Sequence, residues 1–230
     1  MNNFFRESLF SGVVLSLVAY VIGSFLKKKL KLDILNPLLI SIVISIVVLV
    51  VGKIDYDTYY EGAQYLSWFL TPATVCLAIP LYEQWELLKK NYKAVLLGLL
   101  GGTLTSLTTV LVLSLLCGLD HEQYVTLLPK SITTAIGMGV SETLGGYVTI
   151  TVAVIIVTGV LGNMFGHMIC KIFKITEPIS QGLAFGASSH AIGTAKAIEI
   201  GEVEGAMSSL AIAVSGILTV VFASLFANFI

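Results

Sequence analysis

An all-α fold, a polytopic membrane helical bundle of about six full spans plus two re-entrant or broken-helix hairpins, is predicted by three observations. Of the 230 residues, 56% are hydrophobic, and the mean hydropathy is +0.93. Charged residues make up only 12%, about half the usual share of a soluble domain. The apolar residues also fall into blocks of roughly 20, the length a helix needs to cross a bilayer core about 30 Å thick. These blocks are continuous, which excludes a transmembrane barrel, whose strands alternate in polarity.

Full spans are expected at 8–26, 36–52, 62–82, 93–117, 147–170 and 205–229. The first run is followed by "KKKLK" and ends at no small-residue cleavage site, so it reads as an uncleaved span. Cys76, Cys117 and Cys170 lie far apart, inside or beside apolar runs, and read as packing residues. A net charge of −1 gives no reason to expect nucleic acid as a partner. No metal site and no cofactor are expected.

Lysine-rich segments beside spans favour the cytoplasm. "KKKLK" at 27–31, "KKNYK" at 89–93 and "KIFK" at 171–174 therefore share one side, which puts the N-terminus outside and leaves Arg6, Lys53 and Lys130 there too. That topology requires 125–144 and 178–198 each to enter and leave on one face. Both regions carry a proline near the start, internal glycines and many hydroxyls: "LLPKSITTAIGMGVSETLGG" and "EPISQGLAFGASSHAIGTAKAIE". Irregular backbone at membrane depth survives where it is buried in protein or lines a wet cavity.

Both segments obey P-x-S-x5-G, from Pro129 to Gly137 and from Pro178 to Gly186, with a looser copy from Pro72 to Pro80. Together with the topology this suggests inverted repeats, 93–146 and 147–204, within a single membrane domain spanning 1–230. Secondary transporters join broken helices at the midplane in this way. Gly98 and Gly102, and Gly162 and Gly166, form GxxxG pairs that signal close helix packing.

If 186–198 is one helix, Gly186, His190, Gly193 or Thr194, and Ala197 share a face. An ionisable group at membrane depth is a functional candidate, so His190 is read as a substrate contact or proton carrier, and Glu142 as a second proton-coupling candidate. A histidine bonded to a neighbouring helix is the plainer alternative. Lys130 and Lys196 suit attraction of a small anion, or snorkelling to the interface. Helix N-termini just after Pro129 and Pro178 would aim N–H groups inward. Ser131, Thr133, Thr134, Ser180, Ser188, Ser189 and Thr194 supply hydroxyls to the same site. No nucleophile elbow surrounds Ser188 and Ser189 and no carboxylate orients His190, so the chain is not expected to be an enzyme.

"TPATVCLAIPLYEQ" at 71–84, "LPKSITTAIGMGVSETLGG" at 128–146 and "GLAFGASSHAIGTAKAIEIGEVEGAMSSLAIAVSGI" at 182–217 resemble the LrgB/CidB family of bacterial membrane proteins. The likeness covers nearly the whole chain, and its most specific part is the core from Ser189 to Ala197. The family is called antiholin-like, and its relatives include plastid glycolate/glycerate translocators. The resemblance implies a bacterial cytoplasmic membrane, a smaller LrgA/CidA holin-like membrane partner, and either exchange of small monocarboxylates or control of murein hydrolases and lysis. The expected partners are thus a small carboxylate anion of the pyruvate, glycolate or glycerate type, the lipid bilayer and that holin-like protein. A homo-oligomer stays open. Residues favour transport by alternating access, because two polar hairpins at membrane depth are costly unless they contact something polar. The alternative is an antiholin-like regulator acting through its binding surfaces.

Overall fold

The computed structural model describes residues 8, 10–30, 36–76 and 78–230; Arg6 and Lys31 lie outside the described residues. Every regular element among them is helical. Three described helices are long and apolar enough to cross a membrane: Trp85–Cys117, Val148–Ile172 and the stretch Glu202–Phe229. The architecture is that of a helical membrane bundle. The chain divides into two compact units, Met1–Cys76 and Leu77–Ile230.

In the first unit, α1 (Ser11–Leu30) packs against α2 (Pro37–Gly52) and α3 (Tyr56–Ser67). Gly12 and Gly62 let α1 and α3 touch backbone to backbone, and Gly23 does the same against Pro37. Ser16 Oγ donates to the Gly12 carbonyl at 2.8 Å and therefore accepts from the Tyr59 hydroxyl at 2.7 Å, since it has one proton. Asn36 caps α2 by accepting from the Leu38 and Leu39 N–H groups, with Pro37 at the first helical position, where no N–H is needed. The helix α1 continues past the expected end at 26 through Lys27, Lys28 and Lys29.

The expected span 62–82 is not one helix. α3 stops at Ser67, and two short helices follow, α4 (Leu70–Cys76) and α5 (Ala78–Glu83). Pro72 falls in α4 and Pro80 in α5. An interior proline removes a hydrogen bond and crowds the preceding turn, and hydropathy does not register that penalty. Cys76 and Cys117 are exposed, contrary to the packing expectation, whereas Cys170 is buried beside Phe185 and Ala197.

In the second unit, α6 (Trp85–Cys117) ends at Gly118, whose φ of 65° supplies the left-handed turn that closes the helix. Asp120 then starts α7 (His121–Leu127) with a capping box to Gln123. The chain turns through Leu128–Ser131 and returns as α8 (Thr134–Thr143). This is the first hairpin, and it packs on the early part of α9 (Val148–Ile172). Thr151 on α9 fixes it: its buried Oγ lies within donating distance of both the Thr126 carbonyl, at 2.9 Å, and Ser141 Oγ, at 2.7 Å. Thr151→Val keeps the shape and strands both groups, so it should lower stability by about 1–3 kcal/mol. Thermal unfolding in detergent checks this, and an unchanged midpoint would remove Thr151 as the anchor.

The second hairpin is written as one helix, α10 (Pro178–Ile200), but His190 inside it has φ 43° and ψ −139°, far from helical. Glycine contacts show that the chain reverses there. Gly182 lies against the Glu204 carbonyl and Met207, and Gly186 against the Ser208 carbonyl and Ala211, on α11 (Glu202–Phe226). Both sides advance by four residues, so the first half of α10 runs parallel to α11. Past the break, Thr194 Oγ meets Ser208 Oγ at 2.7 Å, back at the level of Gly186. Against α9 the order reverses: Gly166 faces Phe185, Gly162 faces Ser189 and Gly159 faces His190.

Both hairpins therefore end near the middle of α9 from opposite ends. Ile155 marks the level: its side chain covers Gly137 of the first hairpin, and its carbonyl lies 3.0 Å from His190 Nε2 of the second. This reversal corrects the expectation that Gly186, His190, Thr194 and Ala197 share one helical face. Pro178 is the first residue of α10, at the base of its hairpin, whereas Pro129 is buried in the turn at the tip of the other. The two P-x-S-x5-G copies are thus not equivalent in space, and the helix starting at Pro178 does not point its N–H groups at the midplane. Proline presets the φ of a first helical turn and suits either place.

The buried stripe Val95, Leu99, Thr103, Leu107, Val110 and Ser114 of α6 repeats every three or four residues. Its first half packs with Leu183, Ala206, Met207 and Ala211, and its second half with Tyr124, Leu128, Ile132 and Ala223. This places α6 against both hairpins and α11.

Candidate functional site

Between α6, α9 and the two hairpins of the second unit lies a partly open cavity of about 930 Å³. One wall is Gly98, Gly102, Thr105, Ser106 and Thr109 of α6. Lys130 and Ser131 come from the tip of the first hairpin, and Ser188 and Ser189 from the tip of the second. Thr158, Leu161, Gly162, Phe165, Gly166, Ile169 and Cys170 of α9 form the opposite wall, and Ile179, Ser180 and Leu183 continue it toward the base of the second hairpin.

Among the described residues, Lys130 is the one charged residue in this lining. Its Nζ donates to Ser131 Oγ at 2.9 Å, and Ser131 Oγ lies 3.2 Å from Ser106 Oγ. Two of the three ammonium protons are free of that bond. Among the described residues no carboxylate pairs with Lys130: the ion pairs described are Lys89–Glu86 and Lys196–Glu199. A half-buried cation with hydroxyls around it and no counter-charge favours an anion.

The candidates from the sequence separate into two groups. Lys130, Ser131, Ser180, Ser188 and Ser189 line the cavity. Ser188 Oγ donates to the Ala184 carbonyl and lies 2.9 Å from Ser189 Oγ. Thr133 and Thr134 sit at the start of α8 and do not line it. His190 is buried, bonds to the Ile155 carbonyl and is not in the lining either. Thr194 bridges the His190 carbonyl and Ser208, while Gly186 and Gly193 bring backbones together at the Ser208 and Phe185 carbonyls. Lys196 pairs with Glu199 at 2.9 Å near the base of the hairpin, and Glu142 is exposed near the end of α8. The structure brings neither to His190.

The GxxxG pairs also divide. Gly162 and Gly166 pack closely, since a Cβ at either would collide with Ser189 or Phe185. Gly98 and Gly102 instead line the cavity with room for a Cβ, which would make only ordinary contact with Leu183 at 3.6 Å and Ala187 at 3.9 Å. Sequence reasoning missed Ser106 and Asn163. Ser106 continues the Gly98–Gly102 stripe by one more step of four, which is a legible signal once that stripe is read as a wall. Asn163 stands alone as an amide in an apolar span, and its Nδ2 donates at 2.7 Å to the Ile192 carbonyl, just past the break.

Residues 16–229 match the LrgB-like family. Proteins named "Antiholin-like protein LrgB" from Bacillus mycoides (strain KBAB4), Bacillus cereus (strain B4264) and Bacillus anthracis (strain CDC 684 / NRRL 3495) are each 40% identical over 220 residues. Each alignment covers 95% of this chain and 96% of the relative. No solved structure matches the chain.

Proposed function

The chain belongs to the LrgB-like family, and from that premise we propose that it acts as an antiholin-like membrane protein beside a smaller holin-like partner of the LrgA/CidA type. The names of its relatives support this reading, and they favour it over monocarboxylate transport. It places the protein in a bacterial cytoplasmic membrane with the lysine-rich ends of α6 and α9 on the inner side, by the preference of Lys for cytoplasmic loops. It is tested in cells deleted for the gene by assaying murein hydrolase activity and lysis. Restoration by the wild-type chain only when the holin-like protein is present supports it, and restoration without that protein opposes it.

A second reading is favoured by one observation, the cavity in which Lys130 has no opposing carboxylate. In this reading the protein passes a small monocarboxylate of the pyruvate, glycolate or glycerate type. The two hairpins would work as inverted halves around a site near the midplane, as in alternating-access transporters. Lys130 and Ser131 would hold the carboxylate, with no covalent step. Uptake of labelled pyruvate, glycolate and glycerate into proteoliposomes, with and without a pH gradient, tests it. Saturable uptake that falls at least about tenfold in Lys130→Gln is expected, the loss of one charge-assisted bond. No uptake by folded protein, with or without the holin-like partner, leaves the regulatory reading alone.

A further inference from the structure

The cavity is larger and more apolar than a three-carbon acid requires. At about 930 Å³ it reaches the upper part of the range, roughly 300–1,000 Å³, that encloses drug-sized ligands. Among the described residues its charge is confined to one place, Lys130 with Ser131 and Ser106. Leading away from that place, toward the base of the second hairpin, the lining is dominated by Leu161, Phe165, Ile169, Ile179, Leu183 and Phe185. Gly98 and Gly102 on the facing wall present no side chains, so the apolar volume is kept open.

A single cation at one end of a long apolar wall distinguishes ligands by shape as well as charge. A dianion would leave one charge uncompensated against that wall, at high desolvation cost. A neutral apolar molecule would leave the ammonium without a counter-charge. We infer that the cavity binds an amphiphilic monoanion, with its anionic head at Lys130, Ser131 and Ser106 and its hydrocarbon body along Leu161, Phe165 and Leu183. The inference concerns binding and holds whether or not short acids are transported.

The test is a binding series on the purified full-length chain in lipid nanodiscs: acetate, propionate, butyrate, hexanoate and octanoate, with octanamide as the neutral match. Each added methylene should tighten binding about fourfold as it leaves water for the apolar wall. Octanamide should bind at least about tenfold more weakly than octanoate. Lys130→Gln should weaken every acid. Gly98→Leu, which fills the wall, should weaken octanoate about tenfold more than it weakens acetate. Affinity independent of chain length, or octanamide equal to octanoate, would overturn the inference. Equal octanoate binding by wild type and Gly98→Leu would also overturn it, because the acid would then be partitioning into lipid. The wild-type comparisons decide the matter if a variant does not fold. Octanoate binding without uptake of short acids would sink the transport reading and leave this one standing; binding that stops improving at propionate would do the reverse.

Discussion

Gly186→Val is expected to unseat the second hairpin and leave little folded protein in detergent. The ideal Cβ of this residue collides with the Ser208 carbonyl oxygen and comes within 2.7 Å of Ala211 Cβ. Backbone cannot swing aside as the end of a flexible side chain can. The neighbouring contact at Gly182, with the Glu204 carbonyl at 2.5 Å and Met207 Cβ at 2.8 Å, leaves no slack for a shift along α11. Even Gly186→Ala should cost about 1–3 kcal/mol by overpacking. Gly101→Ala is the control, because no atom of the described residues lies within 4 Å of its Cβ. It should hold or gain up to about 1 kcal/mol from helix propensity. Equal unfolding midpoints for Gly186→Ala and Gly101→Ala would mean that the parallel packing of the hairpin on α11 is wrong.

His190→Gly is expected to be more stable than His190→Ala, the reverse of the usual order inside a helix. With φ 43° and ψ −139°, His190 occupies backbone space that suits glycine and strains any residue with a Cβ. Both substitutions lose the bond to the Ile155 carbonyl, so that loss cancels in the comparison. What remains is backbone strain of about 1–3 kcal/mol, which alanine keeps and glycine relieves. Unfolding curves of the two variants measure it. A more stable alanine variant would show that the helix runs on through residue 190 and that the chain does not reverse there.

This comparison also bears on function. A histidine whose Nε2 donates to a main-chain carbonyl on the neighbouring helix is first a clasp between the hairpin tip and α9. If uptake is found and survives in His190→Gly while it is lost in Lys130→Gln, the anion contact belongs to the first hairpin. The clasp then matters by holding the second hairpin in place.

Much of this was legible in the sequence, for identifiable reasons. Helices long enough to span follow from the run lengths, because the bilayer admits only helices or closed barrels. The two polar hairpins were legible because prolines, glycines and hydroxyls at membrane depth need partners. Lys130 and Ser131 stood out for the same reason. The break of 62–82 was hidden, because Leu70–Cys76 and Ala78–Glu83 read as continuous apolar sequence while Pro72 and Pro80 lie within it. Lys196 and Glu142 looked central because they lie close to the hairpins in sequence, yet Lys196 finds Glu199 and Glu142 faces outward.

The sequence by itself determined the helical membrane class, the family and the two places where the chain must leave regular helix. Composition and run length decide those, since each depends on transfer of whole segments between water and lipid. Only the tertiary structure decided which polar groups face one another. The direction of every side chain after His190 depends on two dihedral angles of that residue, and periodicity carries no record of them. The roles of the glycines were decided in the same way. Gly98 and Gly162 open similar motifs, but one lines the cavity with room for a Cβ and the other lies hard against Ser189, because the neighbours of a side-chain-free site come from elsewhere in the chain.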